Sequence, residues 1–292
     1  MIKKILKKKL PGWMGKTHAL LSLVFMGIFM LIPLYPFQIT FGVLKNDILL
    51  YIVSLAVLVG GALLPDLDNS KSTALVSLGP IGSLMTLFMR STSSIVWNIY
   101  HFKNDTKSGS QHRYLWHTPI IGAGLIALFY FGLPNGNYTI FTNIKNSIET
   151  GQILRFIQTN ATLLLFIILC FMAVLIGSAM LLSLISKIIK LPSLLKYILP
   201  VGVIVYIFVT NYSNLRILGV CLGTGYLLHC LEDFICDSSI PIIWPIPAFW
   251  KKKVWWKPSL PIKITTGGTL NTIIDYIALI AAIGIMVFVF IK

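Results

Sequence analysis

The stretch ATLLLFIILCFMAVLIGSAMLLSLIS, from Ala161 to Ser186, decides the fold of this chain. It holds no charged residue, and at about 1.5 Å per helical residue it is long enough to cross a hydrocarbon core of roughly 30 Å. Working outward, runs of the same kind occur near 19–37, 47–64, 116–133, 194–210, 216–235 and 273–291. The chain is 56% hydrophobic and only 11% charged, with a mean hydropathy of +0.84; an ordinary soluble domain does not look like this. The sequence predicts an all-α polytopic membrane protein with about seven transmembrane helices. Segment 74–100 differs, because Gly79, Pro80, Gly82 and Arg90 interrupt it. A re-entrant or interfacial segment is expected there. No internal repeat or low-complexity linker divides residues 1–292, so they read as one membrane-embedded domain. It begins with a basic leader at 1–17 and carries a Trp-, Lys- and Pro-rich interfacial loop at 236–271. The connection from Asn135 to Asn160 reads as a loop with one short helix.

A formal net charge of +15 raises the question of nucleic acid, but the chain offers no soluble domain to display a basic face. The cations flank the apolar runs instead. In the seven-span arrangement one side receives 19 Lys and Arg residues and the other 5, which places the N-terminus in the cytoplasm and the protein in the cell membrane. The basic start and first apolar run resemble a signal peptide, yet Pro33 to Phe37 provides no small-x-small cleavage site, so the run is expected to stay as an anchor. Trp244, Trp250, Trp255 and Trp256 among lysines suit anchoring at anionic headgroups. Cys170, Cys221, Cys230 and Cys236 form no CxxC pair, so no disulfide framework is indicated.

Against this oily background, four of the five histidines and four of the nine acidic residues fall in short blocks. These are Lys16-Thr17-His18, Leu64-Pro65-Asp66-Leu67-Asp68, the segment His112 to Pro119, and His229-Cys230-Leu231-Glu232-Asp233. Ionisable groups at membrane depth are costly unless they face protein or water and have a partner, which makes the set a functional-site candidate. All the blocks fall at cytoplasmic ends of predicted spans and so share one depth. His229 and Asp233 stand one turn apart on a helix face. Pro65 disfavours helical geometry at Leu64, so Asp66 and Asp68 are expected in an extended turn. Five residues separate His112 from His117, which calls for a turn between them, with Thr118 as helix N-cap and Pro119 in the first turn. Taken singly, each has a plainer reading: a helix-stabilising pair at 229 and 233, a cap or solvated loop at 66 and 68, interfacial histidines at 18 and 101. Taken together they form a ligand set for a divalent first-row metal such as zinc. The metal ligands assigned are His18, Asp66, Asp68, His112, His117, His229 and Asp233. Seven ligands suit one or two ions, two rather than three. Glu232, on a neighbouring helix face, is the candidate base or outer-shell group, and Arg113 or Lys16 the candidate to balance phosphate charge.

The ordered set of a Thr-His near the N-terminus, Gly61-x-Leu63-Leu64-Pro65-Asp66-x-Asp68, His112-Arg113-x-x-x-His117-Thr118-Pro119, and His229-x-x-x-Asp233 followed by Trp244-Pro245 resembles the YdjM-like family of membrane-bound metal-dependent hydrolases. That family resembles, more distantly, the zinc-dependent phospholipase C and single-strand nuclease group. The resemblance implies phosphoester hydrolysis by clustered zinc. Two departures reduce the implied ion count: a basic leader precedes His18, and no histidine follows His229. The expected function is a metal-dependent phosphodiesterase or phosphatase acting on a lipid or lipid-linked phosphate at the cytoplasmic face. Membrane lipids are the expected partners. The alternative is a non-enzymatic metal-binding regulator or structural protein; a transporter ranks last, because the polar residues avoid the bilayer midplane and no repeat pairs two halves.

Overall fold

The computed structural model describes residues 13–31, 48–69, 72–100, 115–133, 140–185, 198, 201–202, 215–235, 240 and 268–291. Among the described residues every regular element is helical, which gives the all-α fold. The helices are α1 (Trp13–Leu31), α2 (Ile48–Leu63), α3 (Thr73–Leu78), α4 (Pro80–Tyr100), α5 (Pro119–Gly132), α6 (Ile140–Glu149), α7 (Ile153–Thr159), α8 (Ala161–Ile185), α9 (Leu215–Ile235) and α10 (Thr269–Ile291). Two short 3-10 turns, Pro65–Asp68 and Leu115–His117, complete the set.

Helix α9 is the hub, packed on α2 and α5, with α8 against the other side of α2 and the α1–α10 pair alongside. Glycine makes the close approach possible. A Cβ at Gly60 would lie 1.8 Å from the Ala173 carbonyl oxygen, one at Gly177 2.0 Å from that of Ala56, and one at Gly225 2.1 Å from that of Leu58. Backbone therefore packs directly on backbone along α2, the mode in which lipid-embedded helices associate through small residues. Leu58, Leu63, Phe129, Phe166, Met172, Ile176 and Leu218 fill the remaining core and are fully or almost fully buried.

Two helices, Ala161–Leu184 within α8 and Leu215–Ile235, are long and apolar enough to cross a membrane. Shorter apolar helices occur at Gly15–Met30, Ile48–Leu63, Pro119–Gly132 and Thr269–Ile285. The outside of the molecule is also apolar: Val76, Leu84, Phe131, Leu154 and Ile280 are each between 68% and 78% exposed. The predicted run 194–210 lies almost wholly outside the described residues, as do the leader up to residue 12 and most of the 236–271 loop, including Trp244, Trp250, Trp255 and Trp256.

Three segments take a definite local form. Segment 74–100 is two helices broken at Gly79, whose φ of 56° and ψ of −131° suit glycine, followed by Pro80 opening α4. The connection after Asn135 holds two short helices, α6 and α7, turned at Gly151 with φ 69°. Leu64, ahead of Pro65, keeps helical angles of −60° and −43°, and the acidic pair follows in a 3-10 turn rather than an extended one. Continuing the helical path lets Leu67 N–H donate to Leu64 O at 3.1 Å and Asn69 N–H to Asp66 O at 2.9 Å, which satisfies the buried backbone of the turn.

Candidate metal centre

Helix α9 presents Tyr226, His229 and Asp233 at i, i+3 and i+7, one stripe facing inward, and all three are buried. Tyr226 donates its hydroxyl proton to the carbonyl of Trp116. The Trp116 indole N–H donates in turn to Met89 O and Thr92 Oγ1 of α4, both at 3.0 Å. The 3-10 turn that carries His117 is thus held between α9 and α4, and α5 starts only at Pro119, leaving His117 in the connection rather than in the helix. Thr118 occupies the N-cap position, but its hydroxyl donates to Leu115 O at 2.8 Å instead of accepting from the helix. On the other side, Thr86 of α4 donates to Leu67 O at 2.5 Å and fixes the turn between Asp66 and Asp68. His18 lies one turn inside α1 rather than ahead of it, and is buried.

These elements bring His18, Asp66, Asp68, His117, His229, Glu232 and Asp233 into one cluster. Each imidazole has a distinct oxygen partner on its Nδ1 side. His18 Nδ1 hydrogen-bonds Glu232 Oε2. His229 Nδ1 donates to the Ala62 carbonyl at 2.7 Å, and His117 Nδ1 lies 3.4 Å from Asp68 Oδ2. The three Nε2 atoms turn the other way, toward Asp66 and Asp233. His229 Nε2 is 3.3 Å from Asp233 Oδ2 and 3.9 Å from Asp66 Oδ1. His117 Nε2 is 3.5 Å from Asp233 Oδ2 and 3.8 Å from Asp66 Oδ1. His18 Nε2 is 3.9 Å from Asp233 Oδ1. Ring centroids are 4.0 Å apart for His18 and His229, and 5.0 Å for His117 and His229.

These separations match a coordination shell better than a hydrogen-bond network. Donors at zinc bond lengths of about 2.0–2.2 Å stand about 3.3–3.6 Å apart around a tetrahedral ion. Two overlapping groups, His18-His229-Asp233 and Asp66-His117-His229, each offer ligand atoms within 4.8 Å of one another. They could hold a metal ion. An Nδ1–H given to a carbonyl or carboxylate also fixes the tautomer whose Nε2 lone pair is available to a metal. His117, His229, Asp68 and Asp233 are fully buried, while His18, Asp66 and Glu232 keep 4%, 6% and 8% of their surface.

Without a cation, four carboxylates in one buried cluster demand protons. Burial works against a charged imidazole at His117, but Asp68, Asp66 and Asp233 outweigh it and push its pKa up to about 10. Burial likewise works against the carboxylate of Asp66, yet the imidazoles of His229, His117 and His18 hold it well below the usual range.

Of the residues assigned from sequence, His112 and Arg113 lie outside the described residues. The other six ligands converge, with a division of labour that sequence did not show: Asp68 sits on the Nδ1 side of His117, away from the shared Nε2 face. Lys16 points elsewhere, with its Nζ 3.6 Å from buried Asp275 Oδ2 of α10 and 5.6 Å from the Tyr276 ring. Asp275, Ala62, Thr86, Trp116 and Tyr226 received no role from sequence. Tyr226 was detectable, since it extends the His229 and Asp233 stripe by one turn.

No protein-family model matches the chain, and no curated protein or solved structure does either.

Proposed function

We propose that this chain is a membrane-embedded metal-dependent hydrolase, a phosphodiesterase or phosphatase acting on a lipid or lipid-linked phosphate. The carrying observation is the convergence of three Nε2 atoms on Asp66 and Asp233, with N to O separations of 3.3 to 3.9 Å. The motif resemblance to YdjM-like hydrolases supplies the reaction class. The 19 to 5 cation bias supports a cytoplasmic N-terminus and site, and the apolar exterior supports a seven-span topology with α3 and α4 at the interface.

In this reading His18, His117, His229, Asp66 and Asp233 hold one divalent ion of the zinc type. An imidazole Nε2 has one lone pair, so His229 joins the two groups into a single centre; a second ion would draw on His112, outside the described residues. Asp68 and Glu232 hold His117 and His18 in the liganding tautomer, and Glu232 is also the group assigned to accept a proton from an attacking water. Bound there, such an ion supplies Lewis acidity and a water acidic enough to ionise near neutral pH.

A second reading is a purely structural metal site, favoured by the complete burial of His117, His229, Asp68 and Asp233. Metal content and release of phosphate or of a phosphorylated or free headgroup from phospholipid vesicles, measured on wild type, His229→Ala and Asp66→Ala, separate the two. The hydrolase loses metal and turnover together in both variants. Full metal retention in both removes the site, and metal-dependent stability with no turnover on any phosphoester leaves the structural reading.

A further inference from the structure

We infer that Arg90 is the phosphate-binding residue of this site, its guanidinium receiving the anionic phosphoryl group presented to the metal cluster. The inference rests on the hydrolase reading above and gives that site a residue for its substrate.

Helix α4 has two faces. Ile81, Leu84, Leu87, Phe88, Ile95 and Ile99 are exposed, while Thr86, Met89, Ser93 and Trp97 are buried and form the inward stripe. Arg90 stands in that stripe, one turn on from Thr86 and three residues before Ser93, and is half-buried. The stripe packs on both 3-10 turns of the metal cluster. Thr86 touches the carbonyl between Asp66 and Asp68, and Met89, next to Arg90, accepts from Trp116, next to His117. A cation is therefore held over the elements that carry Asp66, Asp68 and His117.

Its charge is not already taken. Arg90 Nε is buried with no hydrogen-bond partner among the described residues, and no carboxylate there forms an ion pair with Arg90. Burying a guanidinium N–H without an acceptor costs free energy, so the arrangement points to an acceptor that arrives from outside. The described cations on the ligand-bearing helices are turned to other partners: Lys16 of α1 is directed at Asp275, and Arg216 of α9 donates to Leu133 O. A planar guanidinium fork matches two phosphate oxygens, which a lysine does not. The apolar outer face of α4 would meet lipid while Arg90 meets the headgroup phosphate; a free phosphate would satisfy the same fork.

The full chain, metal-loaded in nanodiscs of neutral phosphatidylcholine, tests this by titration with inorganic phosphate and with short-chain phosphatidic acid. Metal content is measured in every sample. Arg90→Gln should keep wild-type metal content and weaken binding by about tenfold to a hundredfold, with Arg90→Lys recovering part of it. A loss seen for phosphatidic acid alone identifies a lipid headgroup as the ligand; an equal loss for inorganic phosphate identifies the phosphoryl group itself. Wild-type binding in Arg90→Gln overturns the assignment, as does a metal-loaded wild type that binds neither probe. Loss of metal in both Arg90 variants makes the residue structural and overturns it too. A wild type that takes up no metal yet binds phosphate through Arg90 overturns the metal reading and leaves this site standing.

Discussion

Gly225→Ala is the most direct test of how the fold makes the site. Gly225 lies one turn before His229 on α9, and a Cβ placed there would be 2.1 Å from Leu58 O and 2.8 Å from Ala62 N of α2. Carbon and carbonyl oxygen approach no closer than about 3.3 Å, so α2 and α9 must separate locally by about 1.2 Å. Both obstacles are backbone, which no rotamer change can move. Overpacking of this kind typically costs about 1–3 kcal/mol. The same displacement would lengthen the 2.7 Å bond from His229 Nδ1 to Ala62 O well past the roughly 3.2 Å limit of an effective N–H···O bond. His229 then loses the partner that fixes its tautomer, and loss of such an orienting partner weakens metal binding by about 10–100-fold. The assay is metal retention against a graded chelator series, read by elemental analysis, together with the thermal midpoint in detergent. Gly284→Ala is the control, since a Cβ there would meet no neighbouring atom within 4 Å; it should keep both metal and midpoint. If Gly225→Ala retains metal like wild type while its midpoint falls, the coupling of helix packing to ligand geometry is wrong. If neither quantity changes, the packing argument fails as well.

Two further outcomes follow. Asp68→Asn and Glu232→Gln should each weaken metal binding by about 10–100-fold without abolishing it, because both residues act on Nδ1 atoms, whereas Asp233→Asn should abolish it; equal and total loss in all three would make Asp68 and Glu232 direct ligands. Metal binding should also strengthen with pH. In the metal-free fold His117 is protonated up to about 10, so each proton displaced from the pocket gives about a tenfold gain in affinity per pH unit below that value. The sign is opposite for the metal-free protein: the raised His117 pKa contributes stability that is complete below the unfolded value near 6.5 and disappears as pH rises through 10. The depressed Asp66 pKa contributes stability above the ordinary carboxylate range that is lost in acid. The gap in thermal midpoint between metal-loaded and metal-free protein should therefore widen from pH 6 to pH 9, and a pH-independent gap would show that metal does not displace a proton from His117.

How far the sequence disclosed this arrangement depended on the range of the signal. The apolar runs located helices at 48–63, 119–132 and 161–185 to within about three residues, because composition over many residues carries that information. The histidines and acids announced themselves because ionisable residues are scarce between these runs. What stayed hidden was the direction of each side chain. That Asp68 faces Nδ1 of His117 while Asp66 faces Nε2 follows from a 3-10 turn at Pro65, where a proline rule taken alone expected extended backbone. Arg90 was read as an interruption of an apolar run; only the packing of α4 on both ligand-bearing turns makes it a cation beside the cluster.

The same packing explains why a cluster with four carboxylates is tolerable in so oily a chain. Buried like charges repel strongly when no counter-ion is present, and separate buried carboxylates would each need their own partner. Placing Asp66, Asp68, Glu232 and Asp233 around three imidazoles lets one set of cations, protons or a metal, neutralise them jointly. That solution requires helix ends from distant parts of the chain to meet within hydrogen-bond reach, and glycine contacts such as Gly225 on Leu58 and Gly61 on Leu222 let α2 and α9 approach that closely. On the proposed reading stability and metal affinity are coupled: a substitution that spreads α2 from α9 would lower both, and a metal bound in the pocket would resist that spreading.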